Sequence, residues 1–289
     1  MTIVQAPAQV AGSATTGRRQ MRLGPLGWIS LAVVILAVLL ALLGPVLRPF
    51  DPDLANLSFA NVGPYGSHLL GFDGQGRDLL SRLMTGARTT MLGAGFVALV
   101  SVVTGSVVAV TTAWFGGAVD AVASAVLDVL FAFPGILLAV VAAAILGPGL
   151  LSAGLALSIA YIPYVTRVLR SAALKQRAMA YIAALEVQGF SAWRLCLRHL
   201  LPNISSLIVA QGTILFGFAM VDLAAISFLG LGVQSPQADW GVMISDGKAG
   251  LLQGFPLESL SATLCIIAVV SAVTFLGESQ EARARQARR

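Results

Sequence analysis

The sequence predicts an all-α integral membrane protein that crosses the bilayer six times with both termini in the cytoplasm. Three observations predict it. Hydrophobic residues form 57% of the 289 positions and charged residues only 11%, against about 25% charged in soluble domains. Mean hydropathy is +0.87. The apolar residues fall in blocks about as long as the roughly 20-residue helix that spans a bilayer core. Finally, basic residues gather in the segments that six alternating spans would place on one side. The net charge of +5 comes from eighteen basic and thirteen acidic residues scattered among the spans, a distribution that excludes a nucleic-acid-binding face.

The amino-terminal arm, 1–22, is rich in Ala, Thr, Gln and Gly and reads as a disordered cytoplasmic arm. Its Arg18-Arg19 pair resembles a twin-arginine signal, but the run that follows is long enough to span and five more come after it, so a retained first span is expected. Leu26 to Leu47 forms that span, ending at the Gly44-Pro45 breaker. The outer segment Arg48 to Thr90 opens on turn formers. Within it, "GRDLLSRLMTG" places Leu79, Leu80 and Leu83 on one face and Arg77, Asp78 and Arg82 elsewhere, which predicts a short amphipathic helix on the outer surface. Sealing the bundle edge and contacting substrate both fit such a helix. Spans follow at Met91 to Phe115 and Val119 to Leu146, divided at Gly116-Gly117. Leu150 to Leu169 comes after a Gly-Pro-Gly turn, then Ile204 to Leu231 and Leu260 to Leu276. Together they make a core of five spans over 91–280, behind a unit of first span and outer loop over 23–90 and before a basic cytoplasmic tail, 281–289.

With the amino terminus inside, the inner pieces hold Arg18, Arg19, Arg22, Arg167, Arg170, Lys175, Arg177, Arg194, Arg198, Arg283, Arg285, Arg288 and Arg289. That is thirteen of the eighteen basic residues, as the positive-inside rule requires. Arg48, Arg77, Arg82, Arg88 and Lys248 remain outside.

No catalytic or metal constellation can be assembled. Cys196 and Cys265 fall on the inner side and within the bilayer, and His68 and His199 fall on opposite sides of it. Gly241 to Lys248 approaches a phosphate-binding loop, but the glycine spacing is one residue too long and Ala249 replaces the hydroxyl residue that would hold magnesium. Energy for active transport must therefore come from an ion gradient or another subunit. Asp128 and Asp222 are acids inside spans, neither of them central; at a helix centre an acid disfavours insertion by about 2.5–3.5 kcal/mol. With Gln211 they are candidates for a polar path, and hydrogen bonding between helices explains them equally well. Pro134 and Pro163 can kink their spans, and Gly93, Gly95, Gly105, Gly212 and Gly217 allow close helix approach.

The segment between the fourth and fifth spans, Arg167 to Asn203, is too long for a connector and helical in composition. It reads as helix, break at Gly189, and helix capped by Ser191, with Phe190 and Trp193 beside the turn and Pro202 closing the loop before the next span. Two readings stand: a docking knob for a soluble partner, or a helix lying on anionic lipid through Arg177, Arg194 and Arg198.

This loop resembles the EAA loop of ABC-importer permeases, in which Glu-Ala-Ala is followed after three residues by Gly and later by Leu-Pro. Ala184, Gly189, Leu201 and Pro202 match; Ala183 stands where the acid is expected, Leu185 replaces an Ala, and Glu186 lies three positions late. "LLGFDGQGRDLLSRLMTGAR" from Leu69, "DVLFAFPGILLA" from Asp128 and "ISFLGLGVQSPQADWGVMISDGK" from Ile226 resemble further signatures of the dipeptide and oligopeptide branch, in its second, C-type permease.

The resemblance implies a six-span type I importer permease in the bacterial inner membrane. It would be a non-catalytic half-pore paired with a homologous second permease. Two cytoplasmic ATPase subunits or halves would carry ATP and magnesium, and an extracytoplasmic binding protein would deliver dipeptides or oligopeptides; the same permease type also serves nickel complexes and haem. This chain itself would hold no cofactor. By the same resemblance, Ala183, Ala184, Glu186, Gly189, Phe190, Trp193, Arg194 and Pro202 in the 171–203 loop would couple the pore to the ATPases. Two rivals from other classes are a stand-alone secondary carrier or channel, which predicts inverted repeats and discontinuous helices with midplane ion ligands, and a membrane scaffold, which has no use for the loop spacing.

Overall fold

The computed structural model describes residues 24–286, with side chains through 281. The arm 1–22 and the charged side chains of the tail from 282 lie outside the described residues. Every apolar block is helical, and no strand occurs among the described residues. The helices are α1 (Pro25–Leu47), α2 (Leu79–Phe115), α3 (Gly117–Ala132), α4 (Gly135–Leu146), α5 (Leu150–Arg177), α6 (Ala180–Val187), α7 (Ala192–Leu195), α8 (Leu201–Phe228), α9 (Trp240–Asp246), α10 (Lys248–Leu252) and α11 (Leu257–Gln286). Five elements are long and apolar enough to span, and α3 with α4 form a sixth that is bent by 85°.

That bend departs from the single third span read from the sequence. Hydropathy runs unbroken across it, but Phe133 is extended (φ −92°, ψ 125°) and Pro134 precedes α4. A proline lacks the donor that would continue the ladder and pushes its predecessor out of the α region. The outer amphipathic helix is also corrected. Leu79 to Gly86 are the first turns of α2, capped by Asp78, whose carboxylate accepts from the Ser81 amide at 2.8 Å. Arg77, Asp78 and Arg82 are buried along with the leucines. At 37 residues, α2 is about 55 Å long, so one helix carries both an outer-loop docking region and a full span.

Two apolar cores stack along this axis. One packs α1 and the first half of α2 against α4, α5, α8, α9 and α11 around Leu157, Met220, Trp240 and Met243. The other packs the second half of α2 against α5, α6, α7 and α8 around Trp114, Leu169, Ile182, Leu195 and Leu200. Small residues set the α2–α5 contact: a Cβ on Gly93 would fall 2.7 Å from a Leu150 methyl, and one on Gly105 2.8 Å from a Val165 methyl. Gly95 and Gly212 have ordinary clearance, 3.9 and 3.7 Å, so the expected close approach does not occur there. Gly241–Lys248, the near miss to a phosphate loop, folds as α9 and the start of α10.

Candidate functional site

The elbow between α5 and α8 is built by local sequence. Gly189 takes φ +83°, a conformation that costs a side-chain-bearing residue and suits glycine. It ends α6 in a Schellman arrangement: the Phe190 amide donates to the Leu185 carbonyl at 3.2 Å and the Gly189 amide to the Glu186 carbonyl at 3.0 Å. Leu185 and Phe190 pack together against the lower core with Ile182, Leu195 and Leu200. The opposite side of the elbow is bare. Trp193 is 72% exposed and Val187 90%, and Ala183, Ala184, Glu186 and Arg194 are exposed too. The Arg194 guanidinium lies 5.6 Å over the Phe190 ring.

Ser191 occupies the position before α7 but makes no side-chain capping bond, which corrects its expected role. Pro202 does not close the loop before the span; it lies in the first turn of α8. The preceding turn, Cys196–Leu200, is widened to π geometry, with the Leu201 amide bonded to the Cys196 carbonyl. A proline cannot donate and crowds the carbonyl four residues back, and the wider turn relieves both. Asn203 bonds the Tyr181 hydroxyl at 2.8 Å and the His199 carbonyl at 2.7 Å. At the other side, Arg177 donates to the Ala113 carbonyl at 2.8 Å over the Trp114 ring. Tyr181, Asn203 and Arg177 therefore tie the elbow to α2 and α8. Sequence reading missed Tyr181 and Asn203, because nothing local marks residues 22 positions apart as partners.

The three polar-path candidates do not come together. Asp128 is exposed on α3 and pairs with Arg167 of α5 at 2.7 Å. Gln211 is buried in α8 with its Oε1 unbonded among the described residues, about 16 Å of helix rise from Asp222. Asp222 accepts from the Tyr161 hydroxyl at 2.6 Å. It also lines a cavity of about 260 Å³ with Phe131, Phe133, Gly135, Ala160, Tyr161, Tyr164 and Phe218, located where α3 breaks into α4. A discontinuous helix was part of the carrier expectation. Here Asp128 on α3 is paired with an arginine, Asp222 is the acid that lines the break, and no cluster of three or more metal-ligating side chains occurs among the described residues.

At the opposite end of α2, a buried ionic network locks the outer loop. Asp73 contacts Arg77 Nε and, at 3.3 Å, Arg82 Nε; Arg77 also reaches Asp246 at 3.2 Å. Arg82 donates to the Pro52 and Pro236 carbonyls at 3.2 and 3.0 Å. His68 lies 2.8 Å from Asp78 and stacks on Phe50 at 4.0 Å. Next to the network, Thr90 donates to Asp239 at 2.6 Å, and the Asp239 carboxylate caps α9 through the Gly241 and Val242 amides. Burial pushes the Asp239 carboxyl above the usual carboxylate range, and these hydrogen bonds oppose the shift.

The family model described as binding-protein-dependent transport system inner membrane component matches residues 101–286, and that of the N-terminal TM domain of oligopeptide transport permease C matches 17–64. The second match extends the likeness into the arm and first span, beyond the motifs read from Leu69 onward. The chain is 32% identical over 260 residues to a dipeptide transport system permease protein DppC of Alkalihalophilus pseudofirmus, covering 90% of this chain and 85% of the relative. Identity is 33% over 224 residues to the probable D,D-dipeptide transport system permease protein DdpC of Escherichia coli, with 78% and 75% covered. It is 32% over 246 residues to the glutathione transport system permease protein GsiD of Pectobacterium atrosepticum, with 85% and 81% covered. With its helical multi-pass architecture, the chain belongs to the binding-protein-dependent transport system inner membrane components and, within them, to the C-type permeases of ABC importers.

Proposed function

We propose that this chain is the membrane half-pore of an ATP-driven importer of dipeptides or oligopeptides, and that its elbow receives the stroke of partner ATPases. Both termini are cytoplasmic in this reading, and the elbow faces the side where ATP is available. ATP and magnesium belong to two cytoplasmic ATPase subunits, a homologous permease completes the pore, and an extracytoplasmic binding protein delivers cargo. The 171–203 loop couples through Ala183, Ala184, Glu186, Gly189, Phe190, Trp193, Arg194 and Pro202. Peptide cargo is supported by the names of the relatives.

The observation that carries the reading is the two-sidedness of the elbow. Its inner face is fastened to α2, α5 and α8 by Ile182, Leu195 and the Tyr181 to Asn203 bond, while Trp193, Val187 and Arg194 face outward with no such packing. A rigid attachment transmits a push, and an exposed aromatic beside a cation is the kind of anchor that fills a partner's cleft. Lipid contact of the same face is the competing reading. Trp193→Asp touches neither the lower core nor the Gly189 turn. In the assembled complex reconstituted in lipid vesicles, it should reduce substrate-stimulated ATP hydrolysis and uptake at least about tenfold, the effect of losing one interface anchor, with membrane insertion unchanged. Wild-type coupling in that variant, or failure of cysteines at Val187 and Trp193 to crosslink to an ATPase subunit, would refute the assignment.

A further inference from the structure

We infer that the cavity at the α3–α4 break is a cation subsite of the translocation path, in which Asp222 and the surrounding rings hold the ammonium group of the cargo. This rests on the peptide-importer reading and adds to it a specific chemical contact. The first argument is an inventory of the acids on α3 and α8. Asp120 pairs with Arg170, and Asp128 pairs with Arg167. Asp222 has no basic partner among the described residues, and its single hydrogen bond comes from Tyr161. A carboxylate inside a span is costly when unpaired and marks a ligand or ion path by default. The hydroxyl satisfies one oxygen, and an ionised carboxylate can accept more than one such bond.

The walls match the charge. Phe131, Phe133, Tyr164 and Phe218 join Tyr161 around Asp222, and aromatic faces attract cations through the ring quadrupole. One of these rings already holds a cation: the Arg167 guanidinium lies 4.3 Å from the Phe131 centroid. That arginine is committed to Asp128 at 2.7 Å, so no basic side chain among the described residues completes Asp222. A cavity of about 260 Å³ lies just below the usual range for a small-molecule pocket, about 300–1,000 Å³. It suits a single charged group with its first substituents, and leaves the rest of a longer cargo free in the pore. The α-ammonium of a peptide, present whatever its side chains, has this size and charge. The ethanolamine headgroup of a lipid shares the chemistry and is the source to be distinguished.

The test uses the assembled importer without its binding protein, in bilayer discs of phosphatidylglycerol alone. The probes are the photoreactive dipeptide Ala-(p-benzoyl)Phe and its N-acetyl form. The free-amine probe should label α5 or α8 of this chain about tenfold more strongly than the acetylated one, the size of preference a desolvated cation over aromatic rings confers. Asp222→Asn should remove that preference, and Asp222→Glu should retain it. Equal labelling by the two probes in the wild-type importer overturns the inference without recourse to any variant. So does an unchanged preference in Asp222→Asn, or complete suppression of labelling once phosphatidylethanolamine is added to the discs. Uptake separates this claim from the one beneath it. If the complete wild-type importer moves no dipeptide, peptide cargo fails; if it moves dipeptide and both probes label alike, only the cation subsite fails.

Discussion

Asp73 holds two arginines at once, and both are as buried as it is. Its backbone carbonyl and carboxylate also organise the loop: the Gln75 and Arg77 amides each donate to Oδ1 at 2.8 Å. Breaking a buried ion pair by deleting one partner costs more than the pair's net worth, because the other charge stays buried and unpaired. Asp73→Ala leaves Arg77 with Asp246 and the Ser235 hydroxyl, and Arg82 with two carbonyls and the more distant carboxylates of Asp53 and Asp246 at 3.7 and 3.9 Å. It should destabilise the outer domain by about 3–5 kcal/mol, read as a lowered midpoint in thermal unfolding of the detergent-solubilised protein. The control is Asp53→Ala. Asp53 is half exposed and 3.7 Å from Arg82, so a change within about 1 kcal/mol is expected there. Similar losses from both substitutions would show that the network is no more than a surface patch.

Among the elements, the α2–α5 pair decides how tightly the bundle closes, and the glycines of α2 are not equivalent: Gly105 faces Val165 of α5, whereas Gly95 faces Phe216 of α8. Alanine in a helix interior is favoured over glycine by up to about 1 kcal/mol, so Gly95→Ala, whose Cβ would meet only a Phe216 ring atom at 3.9 Å, should be neutral or stabilising. Gly105→Ala should be destabilising by about 1–3 kcal/mol, because its Cβ would lie 2.8 and 2.9 Å from the γ-methyl and Cβ of Val165, a side chain with little rotamer freedom to yield. Opposite signs in thermal unfolding are the expected result, and equal effects would refute the close contact. These elements also show where the sequence was legible. The spans and the elbow turn could be read, because hydropathy over about 20 residues and the left-handed preference of Gly189 are local properties. The 85° break was not; Pro134 marked a kink, but hydropathy is continuous through it. The early turns of α2 misled for a related reason: the spacing of Leu79 and Leu83 fixes which residues share a face, not that Arg77 and Arg82 are buried by Asp246 and the Pro236 carbonyl more than 150 positions away. The Asp222 cavity draws its walls from four helices, and no local pattern announces it.

For the whole molecule, exposed apolar residues on α3 and α4 are no argument by themselves, since lipid covers such a surface as well as protein does. The charged pair on that face is one. Asp128 and Arg167 keep 67% and 48% of their side-chain surface uncovered in the isolated chain, and charges at membrane depth face protein or water rather than acyl chains. In the proposed half-pore, the α3 face bearing Asp128 would therefore belong to a water-lined path or to the boundary with the second permease, and α1, whose outward face is uniformly apolar, to lipid. Ala125 and Ala132 flank Asp128 at three- and four-residue spacing on the same face and are exposed. With Cys196 and Cys265 replaced by serine, Ala125→Cys and Ala132→Cys in the assembled importer should react with a charged, water-borne thiol reagent or crosslink to the partner permease. Leu36→Cys and Leu43→Cys on α1 should do neither. In the chain expressed without its partner, the Asp128 and Arg167 pair would be left against lipid, so the solitary protein should be recovered at lower yield than from the complex. Protection of all four cysteines to the same degree would place the charged face in the bilayer and remove the half-pore geometry along with it.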